Sequence, residues 1–150
     1  MEEYKMFTKS TNCYPDFFSG QMIDVLLIGL CEEITEFLMS ELDRKGEAGD
    51  MLWYAVEISR NISMDDAIFF RNGKKNLMEI LKYALSTVKK NIRGDFGELE
   101  KNKRCGEIVY WIIKALENEG FHINDLIESN TKKLTDRKER GVIKGEGDNR

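Results

Sequence analysis

The sequence holds one proline and one histidine in 150 residues. With Pro15 the only proline, nearly everything after it is free to run helical, because proline is the strongest breaker of a helix interior. With His122 the only histidine, HD-type phosphohydrolases, His-based zinc sites and Ser–His or Cys–His nucleophile machinery that needs a second site histidine are excluded. The three cysteines (Cys13, Cys31 and Cys105) are odd in number and form no CxxC, which fits reduced thiols in a cytoplasm. They read as small hydrophobes rather than nucleophiles. The longest apolar run, Val25 to Leu30, falls far short of the ~20 residues that span a bilayer. The opening Met1-Glu2-Glu3-Tyr4-Lys5 is acidic where a signal peptide would be basic and then apolar. A cytoplasmic protein without a membrane segment is expected, with residues 1–140 as one domain large enough to bury a core without disulfides.

What the chain does have is charge, unevenly spread. Residues 1–66 carry 5 Lys/Arg against 14 Asp/Glu, a net −9. Residues 67–129 carry 11 against 9, net +2, and residues 130–150 carry 7 against 4, net +3. An acidic pole that can bind a cation and a basic end that can bind phosphate suit a metal–nucleotide enzyme, although simple surface heterogeneity produces the same numbers. The acidic total and the lack of a broad basic face speak against nucleic-acid binding.

Helical periodicity dominates and predicts an all-α bundle of about five helices built on antiparallel hairpins. A first helix is expected from Gln21 to Leu42, with Ile23, Leu26, Leu27, Leu30, Ile34, Phe37 and Leu38 in the core. Asp43 to Gly46 reads as a turn, and Glu47 to Arg60 as a second helix carrying Met51, Leu52, Tyr54, Val56 and Ile58. Ser63-x-x-Asp66 has the form of a capping box, and Asn72-Gly73 interrupts the chain. Further helices are expected over Asn76–Ile92, Lys101–Asn118 and Asn124–Arg137, with a loop at Arg93–Gly97 and a glycine-rich extended tail over 141–150.

Two acidic pairs stand out, Glu33-x-x-Glu36 and Glu47-x-x-Asp50. Residues three apart share a helix face, so each pair points two carboxylates one way. Like charges held this close resist joint ionisation, and a cation would relieve them. On antiparallel helices the four would gather around one spot. Hard oxygen donors without a soft ligand describe Mg²⁺ or Mn²⁺, and Mg²⁺ brings phosphate substrates with it. If the turn centres near Asp43, Glu36 and Asp50 come level about 10 Å below it, with Glu33 and Glu47 within side-chain reach. An unbroken helix would instead hold the pairs ~20 Å apart. A solvated helix edge could show the same ExxE spacing; Asp50, one residue before the apolar run from Met51, argues for partial burial, which needs a partner. Asn130, Lys133 and Arg137 recur at helical spacing, with Arg140 beyond, and can present phosphate-binding donors on one face or form a solvated one. Trp53 and Tyr54 read as packing residues, and His122 as a cap or surface residue.

An internal echo is also present: Glu47-Ala-Gly-Asp50-Met-Leu-Trp53-Tyr54 against Arg104-Cys-Gly-Glu107-Ile-Val-Tyr110-Trp111. It reads as a duplicated hairpin whose second copy has exchanged Glu47 for Arg104. The segment Gly29-Leu-Cys-Glu-Glu33-Ile-Thr-Glu36 followed by Glu47-Ala-Gly-Asp50-Met-Leu-Trp-Tyr54 resembles the ExxE…ExxD signature of MazG-like proteins, among the all-α nucleoside triphosphate pyrophosphohydrolases that include dimeric dUTPases. Tyr4–Thr11, Tyr14-Pro-Asp16 and Asn130–Gly141 resemble that family's opening and closing segments, so the likeness covers most of the chain. It departs in a short gap between Glu36 and Glu47, and in Val88–Arg93, similar to a basic segment that usually follows ExxE directly. The resemblance implies a helical bundle that dimerises and hydrolyses a (d)NTP to (d)NMP and pyrophosphate, for nucleotide-pool housekeeping. Mg²⁺ would be held by Glu33, Glu36, Glu47 and Asp50 as the catalytic set, with Asn130, Lys133, Arg137 and Arg140 binding substrate. Apolar faces with Leu77, Leu81, Leu85 and Val88, and with Ile108, Val109, Ile112, Ile113 and Leu116, also suggest at least a dimer, with Lys133 and Arg137 a triphosphate's length from the carboxylates. The alternative is a catalytically degenerate helical module that binds a nucleotide or a protein.

Overall fold

Two helical hairpins packed side by side make the frame. The computed structural model describes residues 1–14, 21–62, 73 and 75–142. Its helices are α1 (Glu2–Thr11), α2 (Met22–Met39), α3 (Arg44–Arg60), α4 (Leu77–Ile92), α5 (Glu98–Asn118) and α6 (Ile123–Glu139), and the described residues contain no strand. Helix α2 packs on α3 and α4 on α5; α2 also meets α4 and α3 meets α5, which closes a four-helix ring. Helices α1 and α6 lie against α3 from outside that ring. No helix among the described residues is long and apolar enough to cross a membrane.

The ring forms because each helix carries an apolar stripe at three- and four-residue spacing. Leu26, Leu27, Leu30, Ile34 and Phe37 of α2 are buried together with Met51, Leu52, Ala55 and Ile58 of α3. Leu77, Ile80, Ala84 and Val88 of α4 and Cys105, Ile108, Ile112 and Leu116 of α5 complete the core. Burial removes thiol acidity: Cys31 is pushed up to about 11 and Cys105 to about 12, as expected of cysteines used as small hydrophobes.

The first hairpin turns earlier than the sequence suggests. Helix α2 ends at Met39 rather than Leu42, and Leu38, expected in the core, is 46% exposed. The turn is Ser40–Asp43, where Ser40 Oγ accepts from the Asp43 amide at 3.1 Å. Asp43 then acts as N-cap of α3, its carboxylate accepting from the Gly46 amide at 3.0 Å. Capping by aspartate outweighs the turn preference of Gly46, which sits inside the first helical turn under the Asp43 carboxylate.

Helix α4 opens with a reciprocal capping box in which Asn76 accepts from the Glu79 amide and Glu79 accepts from the Asn76 amide, both at 2.9 Å. The capping box expected at Ser63–Asp66 lies outside the described residues, as do Asn72 and residues 143–150 of the tail. Loop 93–97 falls where expected, and α5 begins three residues early, at Glu98. The ring buries Leu77, Val88, Ile108, Ile112 and Leu116 within the chain. Most of the apolar surface that suggested a partner subunit is therefore internal.

Helix α1 was not anticipated. It has ten residues and a polar composition, so hydrogen bonds to other elements hold it rather than its own propensity. Trp53 Nε1 donates to Thr11 Oγ1 at 3.0 Å, Asn12 Nδ2 to the buried Glu57 at 2.7 Å, and the Tyr4 hydroxyl to Asn130 at 2.7 Å.

Gly29 of α2 lies directly under the Tyr54 ring of α3: an added Cβ would collide with it. Gly29→Ala is expected to lower stability by about 1–3 kcal/mol through overpacking. Thermal unfolding measures this, and an unchanged midpoint would contradict the close approach.

Candidate metal centre

The turn at Ser40–Asp43 sets the levels at which α2 and α3 face each other. Tyr54 lies on Gly29, and one turn nearer the loop the Asp50 charge acts on Glu33. At the next level Glu47 joins Glu33 and Glu36, and ligand oxygens of these three lie within 4.8 Å of one another. Glu36 thus meets Glu47 rather than Asp50, a register about one turn from the expected one because the loop comes earlier in the chain.

Environment grades the three carboxylates. Glu47 is 7% exposed, Glu33 half-buried and Glu36 exposed. The Glu33 carboxyl is pushed up to about 9, first by burial and then by Asp50, Glu36 and Glu47, with Lys133 opposing. The like charges that crowd it make its ionised form costly without a cation. The donors suit a hard divalent ion: all are carboxylate oxygens, and opposite ligands of Mg²⁺ lie about 4.2 Å apart, twice its ~2.1 Å bond.

Asp50 stands beside this trio rather than in it. Its Oδ1 accepts from Asn130 Nδ2 at 2.8 Å, and its Oδ2 pairs with Lys133 Nζ at 2.5 Å. Lys133 was expected at a triphosphate's length and free of direct salt bridges, and it is bonded to the carboxylate instead. Its ammonium brings a positive charge from α6 onto a net-negative hairpin. Asn130 and Lys133 lie one turn apart on α6, so both reach α3 together. Gly49 allows the approach, since a Cβ there would lie 3.3 Å from Asn130 Cβ.

The remaining basic candidates differ in exposure and partners. Arg137 is 4% exposed and engaged within the fold. Arg140 is exposed and chelates Asp136 of its own helix with contacts of 2.8 Å. Arg104, echo of Glu47, lies 4.2 Å over the Tyr83 ring and donates to Thr87 Oγ1 at 3.1 Å, while Glu107 accepts from the Tyr83 hydroxyl at 2.6 Å. The echo is thus a cation–aromatic cluster between α4 and α5. Asn91, amid Lys89, Lys90 and Arg93, donates to Asp24 at 2.8 Å, and Asp24 lies about 14 Å along α2 from Glu33. Trp53 and Tyr54 pack against each other edge to face at 4.9 Å, as expected of packing residues. His122 is the exposed N-cap of α6. Tyr4, which the sequence did not single out, joins the site through Asn130 from 126 residues away.

A scan against protein-family models, a search of curated proteins and a search of solved structures each found no match.

The Glu33 carboxyl implies a pH dependence of stability with a definite sign. Its folded value of about 9 lies above the ordinary 4.5, so between those values the folded state alone keeps the proton. Stability from this group is complete below about 4.5 and is lost as pH rises toward about 9, at up to ~1.4 kcal/mol per pH unit. Metal-free Glu33→Gln is expected to be more stable than wild type at pH 8 and to show a flatter pH profile. Chemical denaturation at pH 5, 7 and 8 measures this, and parallel profiles would contradict it.

Proposed function

We propose that the chain is a Mg²⁺-dependent nucleoside triphosphate pyrophosphohydrolase, with Mn²⁺ as a substitute, acting on a (d)NTP to give (d)NMP and pyrophosphate. The observation that carries this reading is the meeting of Glu33, Glu36 and Glu47 within 4.8 Å on facing helices. The ExxE…ExxD resemblance supplies the reaction class. Glu33, Glu36 and Glu47 would hold the metal, with Asp50 next to them. Bound there, Mg²⁺ supplies neutralisation of the triphosphate and a water of lowered pKa.

The chain's own residues do the rest. Lys133, bonded to Asp50, is the cation placed to pass to a phosphate oxygen when substrate brings its negative charge to the hairpin. Asn130 keeps Asp50 oriented while Lys133 exchanges partners. Glu32, exposed on α2 beside Glu33, is available to take a proton from water. Arg137 and Arg140 are left out of phosphate binding in this reading. Association into a homodimer remains part of the proposal. Met78, Leu85 and Ile92 recur every seven residues on α4 and are exposed, the spacing of a helix–helix seam.

The Lys133–Asp50 pair also favours a second reading. A hairpin whose fourth carboxylate is neutralised internally is what a degenerate, non-catalytic module would keep. Pyrophosphate release across a panel of (d)NTPs, with and without Mg²⁺, separates the two. Glu36→Gln is expected to lower Mg²⁺-dependent turnover by at least ~10²-fold with the helical content retained, and Lys133→Ala to weaken it as well. No turnover in the wild type would favour the degenerate module, and turnover indifferent to Glu36→Gln would contradict the role given to that carboxylate.

A further inference from the structure

Tyr4 and Asn130 form a buried polar contact beside the carboxylate trio. Tyr4 is 3% exposed and Asn130 2%, so no solvent can replace either partner. The Tyr4 hydroxyl donates to Asn130 Oδ1 at 2.7 Å, and Asn130 Nδ2 donates to Asp50 Oδ1 at 2.8 Å. A carboxylate only accepts, so the amide must present its NH₂ to Asp50, which turns its carbonyl toward α1. That carbonyl would be a buried unsatisfied acceptor without the phenol, and Asn130 would have to rotate away from Asp50 to satisfy it. Burial and the charges of Asp50 and Glu57 push the Tyr4 phenol upward, so it keeps the proton it donates. Accepting one hydrogen bond also strengthens the one the amide donates. The other end of α1 is fixed separately, by Thr11 on Trp53 and Asn12 on Glu57.

We propose that Tyr4 is a positioning residue for the acidic centre, its phenol setting the orientation of the Asn130 amide and, through it, the place of Asp50. This inference rests on the metal-centre reading above and deepens it by making α1 part of the site.

The test is a Mn²⁺ titration of the full chain as wild type, Tyr4→Phe, Trp53→Phe, Asn130→Ala and the Tyr4→Phe/Asn130→Ala pair. The Asn130 side-chain amide is followed by NMR alongside. Tyr4→Phe is expected to weaken Mn²⁺ binding by more than about two-fold through the displaced Asp50 charge, while Trp53→Phe, which loosens the same helix elsewhere, stays within about two-fold. In the Asn130→Ala background Tyr4→Phe should change nothing, because the two act in series. Wild-type affinity in Tyr4→Phe, an equal loss in Trp53→Phe or additive losses in the pair would overturn the inference. Should Tyr4→Phe not fold, wild-type affinity in Asn130→Ala would overturn it equally. If the wild type binds no Mn²⁺, the functional reading fails, and the amide signal decides this inference. A protected Asn130 amide resonance that loses its shift and slow exchange in Tyr4→Phe supports it, and an unchanged resonance overturns it.

Discussion

Crowding of negative charge across the α2–α3 hairpin is the constraint on which the rest depends. Glu33, Glu36 and Glu47 are brought together by the same helix pair that buries Leu30, Ile34, Met51 and Leu52. The apolar stripe drives the two helices into register, and the register brings the carboxylates to one place. Hydrophobic burial worth of order 1.5–3 kcal/mol per large side chain is enough to hold such repulsion in place. The protein answers it in two ways already present in the chain: Glu33 keeps a proton toward pH 9, and Lys133 lays its ammonium on Asp50. A divalent cation would replace the first device directly.

The layers outside the hairpin follow from this. Helix α6 brings Asn130 and Lys133 to Asp50, and Gly49 lets it approach closely. Helix α1 brings Tyr4 to Asn130. In the second hairpin the equivalent problem is absent, because Arg104 supplies a fixed positive charge between Tyr83 and Thr87. Two hairpins of similar sequence thus take opposite solutions: one gathers like charges and the other builds in the counter-charge.

Much of this was legible in the sequence, where the signal was local. The five long helices, their apolar stripes and the acidic pairs all rest on three- and four-residue spacing, which needs no knowledge of distant partners. The turn was misplaced because Gly46 was read as a breaker, whereas Asp43 caps a helix that runs straight through it. Leu38 was misassigned because the stripe was extended past the helix end that this cap imposes. Helix α1, the Lys133–Asp50 pair and the burial of Arg137 depend on contacts between segments far apart in the chain. No periodicity within a segment could reveal them.

The most direct test of the account is a titration of the metal-free protein with Mn²⁺, followed by electron paramagnetic resonance of the free ion. One saturable class of binding, competed by Mg²⁺ and lost in Glu47→Gln, is the predicted result. Absence of saturable binding, or binding that Glu47→Gln leaves unchanged, would contradict the claim that the α2–α3 hairpin is a metal centre.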